Sequence, residues 1–377
     1  MTTRHILTFA SAFALAMSAQ AQAPLQTPVQ IPAQGLTVAN FGGANGKAQD
    51  VAFIQPFKLA RQTEARGVEY SGELSAIRAM VKERRNEWDV VEVESADLKA
   101  GCDAGLFERL DRGAIPHAGM LLPGTVQDCG VGAFVWSTVM AYEPGRFKET
   151  PQNWQDFWNV QRFPGKRGLR KGARYNMEIA LMADGVHRRD VYATLATEAG
   201  VKRALAKLEQ LKPHIVWWES GSQPPQRLAS GETTLSTAFN GRIAAANRER
   251  LSPLAISWAD AVYELDYWVI VKGTPRLEQA RAFISFVTSE EAQLAFSREI
   301  PYGPTHFNAI LRYDTGRNRT ASAAPVTDLS MAGSDLPSAP GNMRRSLAFA
   351  PAFWTQPGGA ALEKQFAQRM GMGMSMK

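Results

Sequence analysis

The stretch Leu36-Thr-Val-Ala-Asn40, running straight into Phe41-Gly-Gly-Ala-Asn-Gly46, decides how the chain folds. A short β-favouring run ends there in a turn with enough glycine to let backbone amides face a ligand. A helical spacing follows through Gln49, Phe53, Phe57 and Leu59. The order then repeats: a strand over 67–70, the turn Ser71-Gly72, and a helix carrying Leu74, Ile77, Met80 and Val81. A third strand over 88–93 stops at Glu94-Ser95. Three rounds of strand, turn and helix predict an α/β lobe with a mainly parallel sheet, whose ligands gather at the strand ends. Ser71, Glu94 and Ser95 stand at such ends and are candidate polar contacts.

Further along, 135–142 reads as a long apolar strand crossing into a second lobe. That lobe opens with an amphipathic turn at 154–158 and a basic loop over 164–174. Helices are expected over 177–182, 191–211 and 226–229, and strands over 216–219 and 235–239. A strand over 263–270 returns to the first lobe, and helices over 276–288 and 289–298 follow, with Ser289 as the cap of the second. The residues 315–341 are rich in Ala, Ser, Pro and Gly and read as a surface connection. The boundaries drawn are 36–139 with 267–311 for lobe 1, and 140–266 with 312–377 for lobe 2.

The returning strand carries the densest chemistry. Tyr263-Glu-Leu-Asp-Tyr-Trp268 holds two acids and three aromatics, and alternation puts Glu264, Asp266 and Trp268 on one face. Acids beside an indole suit an alkylammonium ion, through charged hydrogen bonds and the ring face. Trp218, Glu219 and Gln223 lie where a strand meets a turn and are further candidates.

The 377 residues and formal charge of +6 accommodate two lobes and give little support for nucleic-acid binding. Arg4 and His5 precede an apolar run ending near Ala19-Gln-Ala21, the pattern of a cleaved signal peptide over 1–21 and of an exported protein. Cys102 and Cys129, the two cysteines, fit a single disulfide in an oxidising compartment, with two buried thiols as the alternative. The five histidines are too scattered for a metal site or a catalytic relay. No nucleophile elbow and no phosphate loop with lysine and a hydroxyl stands out, so neither an enzyme nor a cofactor is expected.

The phrases Trp88-Asp-Val-Val, Cys129-Gly-Val-Gly, Val216-Trp-Trp-Glu219, Phe239-Asn-Gly-Arg242, Leu265-Asp-Tyr-Trp268 and Ile300-Pro-Tyr-Gly-Pro-Thr305 occur in this order. Together they resemble the spermidine/putrescine-type solute-binding proteins of bacterial ABC importers. The resemblance implies an α/β, two-lobed type II periplasmic binding protein, each lobe a mixed sheet flanked by helices, with a hinged cleft between. It also implies a periplasmic monomer whose partners are a small cationic ligand, a polyamine or related amine, and an ABC permease in the inner membrane. Phe41, Phe239, Asp266 and Tyr302 match ligand-binding positions of that family. The family's acid after the first aromatic is missing, because Gly42-Gly43-Ala44 stands there, and a further acid pair falls on Gly172-Ala-Arg-Tyr175. Glu94, Glu219 or Glu264 would have to replace them.

The basic run Lys166-Arg-Gly-Leu-Arg-Lys-Gly-Ala-Arg174 is read as a solvated outer loop or a docking patch for the permease. Were Arg170, Arg174 or Arg242 to face inward, an amino acid or other carboxylate would be the better ligand. A secreted hydrolase without recognisable motifs is the rival from another class. The thioether-rich end, Met370 to Met376, reads as a loose tail with no metal role.

Overall fold

A computed structural model describes residues 1, 35–248, 253–317 and 335–372. The signal segment, most of the 315–341 connection and the end of the Met-rich tail lie outside the described residues.

Nine strands among the described residues make one mixed sheet. They are β1 (Leu36–Asn40), β2 (Ala65–Glu69), β3 (Val90–Glu94), β4 (Gly130–Tyr142), β5 (Arg167–Arg170), β6 (Ile215–Trp218), β7 (Leu235–Phe239), β8 (Ala255–Ile270) and β9 (Leu347–Ala348). Their order is β2-β1-β3-β8-β4-β7-β5-β6, with β9 alongside β8. β1 pairs in parallel with β2 and β3, and β5 in parallel with β6 and β7. These two parallel wings are joined by the antiparallel pair β4 and β8. Both joining strands are long, 13 and 16 residues, because each must cross from one wing to the other. Shifts of register between Gly132 and Phe134, and between Thr138 and Met140, bend the pair where it crosses.

Burial explains the apolar character of these runs. All thirteen residues of β4 are buried, and the strand is paired with β8 on one edge and β7 on the other. The helices expected over 276–288 and 289–298 span Leu277–Val287 and Glu290–Glu299, and Ser289 caps the second by accepting from the Ala292 N–H. The helix expected over 191–211 is broken into Val191–Leu195 and Glu198–Leu211, because Thr197 caps the second piece by accepting from Gly200 N–H. Cys102 and Cys129 are bridged, with Cα atoms 5.8 Å apart, and tie the helix Ser95–Asp103 to the start of β4.

Candidate functional site

The carboxyl ends of β1, β2 and β3 point toward those of β5, β6 and β7, and a cleft of about 590 Å³ opens between them. This is where parallel strands expose ligand-facing turns. The first wing contributes Phe41 after β1, Tyr70 and Ser71 after β2, and Glu94 with Asp97 at the end of β3. The second contributes Arg170 and Arg174, the turn Glu219-Ser220-Gly221, and Phe239 with Arg242. The crossing strands supply the floor through Phe134, Trp136 and Asp266, and Tyr302 closes one side.

Aromatic rings make much of the wall. Phe41 stacks on Tyr70 with centroids 5.2 Å apart, and Phe134 lies flat on Tyr302 at 4.9 Å. Trp136 meets Phe239 edge-on at 4.8 Å. Such rings exclude water and leave π faces for a cation.

Asp266 sits at the centre of this wall and is buried. Trp136 Nε1–H donates to its Oδ1 at 2.7 Å. Burial pushes its carboxyl well above the usual range, and the neighbouring Glu92 adds to the rise. Glu92 is itself buried and lifted by burial, while hydrogen bonds from Gln49, Asn45 and the Phe41 N–H pull it back. The nearness of the two acids raises the Asp266 carboxyl and lowers that of Glu92, so Asp266 is the one pushed toward its neutral form. An incoming ammonium would reverse this by offering Asp266 an opposite charge.

The opposite electrostatics come from three guanidinium groups. Arg170 lies over the rings of Tyr175 and Phe239, at 5.2 and 5.6 Å, and donates from Nη2 to Glu94 at 3.0 Å. Arg174 Nη1 stands 3.8 Å from the other oxygen of Glu94. Arg242 Nη2 reaches across to the carbonyls of Phe41 and Gly42, at 3.3 and 3.0 Å. Arg170 Nη1 and Arg242 Nε are buried and have no hydrogen-bond partner among the described residues. Buried donors left unpaired are costly, so both suit an anionic ligand group. Asp97 is pushed up to about 6, first by burial and then by Glu94, with Arg174 and Arg170 opposing.

The strands and turns named by sequence bring Phe41, Ser71, Glu94, Glu219, Phe239, Asp266 and Tyr302 to the cleft. Five expected contacts are elsewhere. Glu264 and Trp268 do share the Asp266 face of β8, but the cleft opens only over Asp266. Trp268 is covered by Phe53 and Phe283, at 6.2 and 5.7 Å, in the core of the first wing. Glu264 is covered by Ser95, whose N–H and hydroxyl donate to it at 3.0 and 2.5 Å, and by the Tyr175 hydroxyl. Ser95 is thereby spent on Glu264, which burial pushes up to about 8. Trp218 is buried behind Phe239, its indole N–H donating to Thr237. Gln223 turns its carbonyl back to the N–H groups of Glu219 and Ser220 and shapes that turn.

The basic run is the main correction. Residues 167–170 form β5, an inner strand, and the turn after it delivers Arg170 and Arg174 into the cleft, so this is not an outer loop. Arg167 is buried too, donating to the carbonyls of Phe157, Gly165 and Phe163. Sequence reading passed over Tyr70, Phe134, Trp136 and Glu92. An acid inside the apolar run Val90-Val-Glu-Val93 was a signal for Glu92.

Residues 58–314 match the family described as bacterial extracellular solute-binding proteins. The chain is 46% identical to a gamma-aminobutyric acid-binding protein of Pseudomonas aeruginosa over 362 residues, 96% of each chain. It is similar to the crystal structure of an ABC transporter substrate-binding protein from Bradyrhizobium japonicum, with a TM-score of 0.77 and 32% identity over 89% of this chain and 99% of that one. It is also similar to the structure of the Atu4243 GABA receptor, with a TM-score of 0.76 and 26% identity over 90% and 98%. These relatives are binding proteins, not enzymes. The two-lobed architecture expected from the resemblance is the one they share, but the ligand in their names is an amino acid and not spermidine or putrescine. The chain belongs to the bacterial extracellular solute-binding proteins, and within them to the type II receptors that serve ABC importers.

Proposed function

We propose that this protein is a periplasmic receptor for γ-aminobutyric acid or a closely similar amino acid, and that it hands the ligand to an ABC permease. The observation that carries this reading is the pairing of opposite charges in one cleft. Two buried guanidinium donors without partners among the described residues, on Arg170 and Arg242, share it with the buried carboxyl of Asp266. The guanidiniums take the ligand carboxylate. Asp266, backed by Glu92 and ringed by Trp136, Phe134 and Tyr302, takes the ammonium. A dication would bring a second positive charge against the arginines, whereas a zwitterion satisfies both ends. The name of the 46% identical relative supports the same choice.

In this reading lobe 1 comprises 36–139 with 267–311 and lobe 2 comprises 140–266 with 312–377, and they close on the ligand. Glu94 with Arg170, and Arg242 with the Phe41 and Gly42 carbonyls, bind one wing to the other across the cleft. Residues 1–21 direct export and are then removed. The acids Glu69, Glu73, Asp97 and Glu219 along the rim keep a polyamine as the second reading. Titration calorimetry with γ-aminobutyric acid, butyrate, butylamine and putrescine separates the two. The amino acid should bind far more tightly than either half-molecule and than putrescine. Tighter putrescine binding would restore the polyamine reading, and no heat from any of the four would refute both.

A further inference from the structure

We propose that Glu363, on the last described helix, is a positioning residue of the ligand site, holding the turn that delivers Arg170 and Arg174 to the cleft. The inference rests on the assignment of Arg170 to the ligand carboxylate, with Arg174 beside it in the same cleft. The helix Pro357–Met370 is remote in sequence from every cleft residue, yet the Glu363 carboxylate meets the turn after β5. One oxygen accepts from the Ala173 N–H at 2.8 Å and the other from the Arg174 N–H at 3.3 Å. Consecutive amides converging on a carboxylate fix a turn's shape as an anion-binding nest does.

The turn needs such a hold. Gly172 has φ +124°, and Tyr175, which is not glycine, has φ +69°. A non-glycine residue in the left-handed region persists only where its surroundings fix it. The other fastenings are on the page: Asn176 Nδ2 donates to the carbonyls of Arg170 and Gly172 at 2.6 and 2.7 Å, and the Tyr175 hydroxyl donates to Glu264. Glu363 completes the set from the far side and is the one supplied by the C-terminal helix. That helix is anchored without Glu363. Leu362, Phe366 and Met370 are buried, Phe366 meets Trp217 at 5.8 Å, and Arg369 pairs with Glu209 at 2.6 Å. Loss of the carboxylate therefore frees the turn and leaves the helix docked.

The test has a readout with no ligand and one with it. In ligand-free Glu363→Ala the amides of Ala173 and Arg174 should exchange about tenfold faster or more, with those of the 357–370 helix unchanged. Calorimetry should show γ-aminobutyric acid binding about tenfold weaker. Adding Arg174→Ala should then cost less than the product of the two single losses, because both act on the same arginine. Wild-type exchange at 173 and 174, or losses that simply multiply, would overturn the proposal. Should the alanine variant not fold, Glu363→Gln, which keeps shape and one acceptor, should show the same effects at reduced size. If wild type does not bind γ-aminobutyric acid, the ligand assignment fails, and the exchange measurement alone decides whether Glu363 holds the turn.

Discussion

Replacing Arg170 with methionine should convert a receptor for a zwitterion into one that tolerates a dication. The side chain lies against the rings of Tyr175 and Phe239, with one nitrogen on Glu94 and one unpaired among the described residues. Methionine keeps an unbranched stem against the rings, so the packing survives while the charge goes. Truncating one side of a buried charge pair costs about 2–5 kcal/mol. Arg174 and Arg242 remain in the cleft, which places the loss for γ-aminobutyric acid at the lower end, about 2–3 kcal/mol. At about 1.4 kcal/mol per decade, that is roughly 30- to 150-fold in Kd. For putrescine the sign reverses. A like charge about 8 Å away costs about 2 kcal/mol at an effective dielectric of 20, and Glu94 is also released from its partner. Putrescine binding should therefore strengthen by about tenfold or more. Calorimetry on both ligands at pH 7, with wild type alongside, measures both effects. A variant that keeps its affinity for the amino acid within about threefold and gains none for putrescine would remove Arg170 from the site.

Other consequences follow from the same geometry. Burial lifts the folded-state carboxyls of Asp97, Glu264 and Asp266 above their ordinary range, the first to about 6 and the second to about 8. The folded protein thus holds their protons more tightly than the unfolded chain, so stability from these groups is greatest at low pH and declines as pH rises from about 4 toward 8. Melting temperatures of the ligand-free protein should fall over that window, Glu264→Gln should flatten the upper part, and a rise would contradict the assignment. Ligand binding should release a proton as Asp266 ionises against the ammonium, seen as calorimetric heats that differ between buffers of different ionisation enthalpy. Gly43 has φ +55°, and a Cβ there would meet Arg242 Nη1 well inside van der Waals contact. Gly43→Ala should therefore displace that guanidinium and weaken amino-acid binding by about tenfold, with butylamine binding unaffected. Reducing the Cys102–Cys129 bridge opens a loop of sequence separation 27 and should lower unfolding stability by about 3–4 kcal/mol, read from the urea midpoint.

What the sequence disclosed and what it hid divide along a physical line. Periodicity reports which residues leave a strand together, and strand-to-turn junctions report where a backbone can meet a ligand. Glu94 and Asp266 were found through those two signals, Phe41 and Phe239 through the family resemblance, and all four reach the cleft. Neither signal reports what is stacked on a face. Glu264, Asp266 and Trp268 alternate correctly on β8, but only the middle one is left uncovered, because Phe53 and Phe283 close over one neighbour and Ser95 with Tyr175 over the other. Charge density misleads for the same reason. A run of five positive residues looks solvated when read as composition. Once it is β5, flanked by β6 and β7, its side chains split between the core, where Arg167 is spent on carbonyls, and the cleft, where Arg170 keeps a donor unpaired among the described residues. The ligand's sign hinges on that split. The acids that suggest an amine are legible in the sequence because they sit on one strand. Of the arginines that answer them, Arg242 lies in the first turn of the helix after β7, while Arg170 and Arg174 flank a turn whose shape is set by Glu264 on β8 and by a carboxylate nearly two hundred residues away, at Glu363. A site assembled from such distant segments discloses one charge to a linear reading and the other only to the fold.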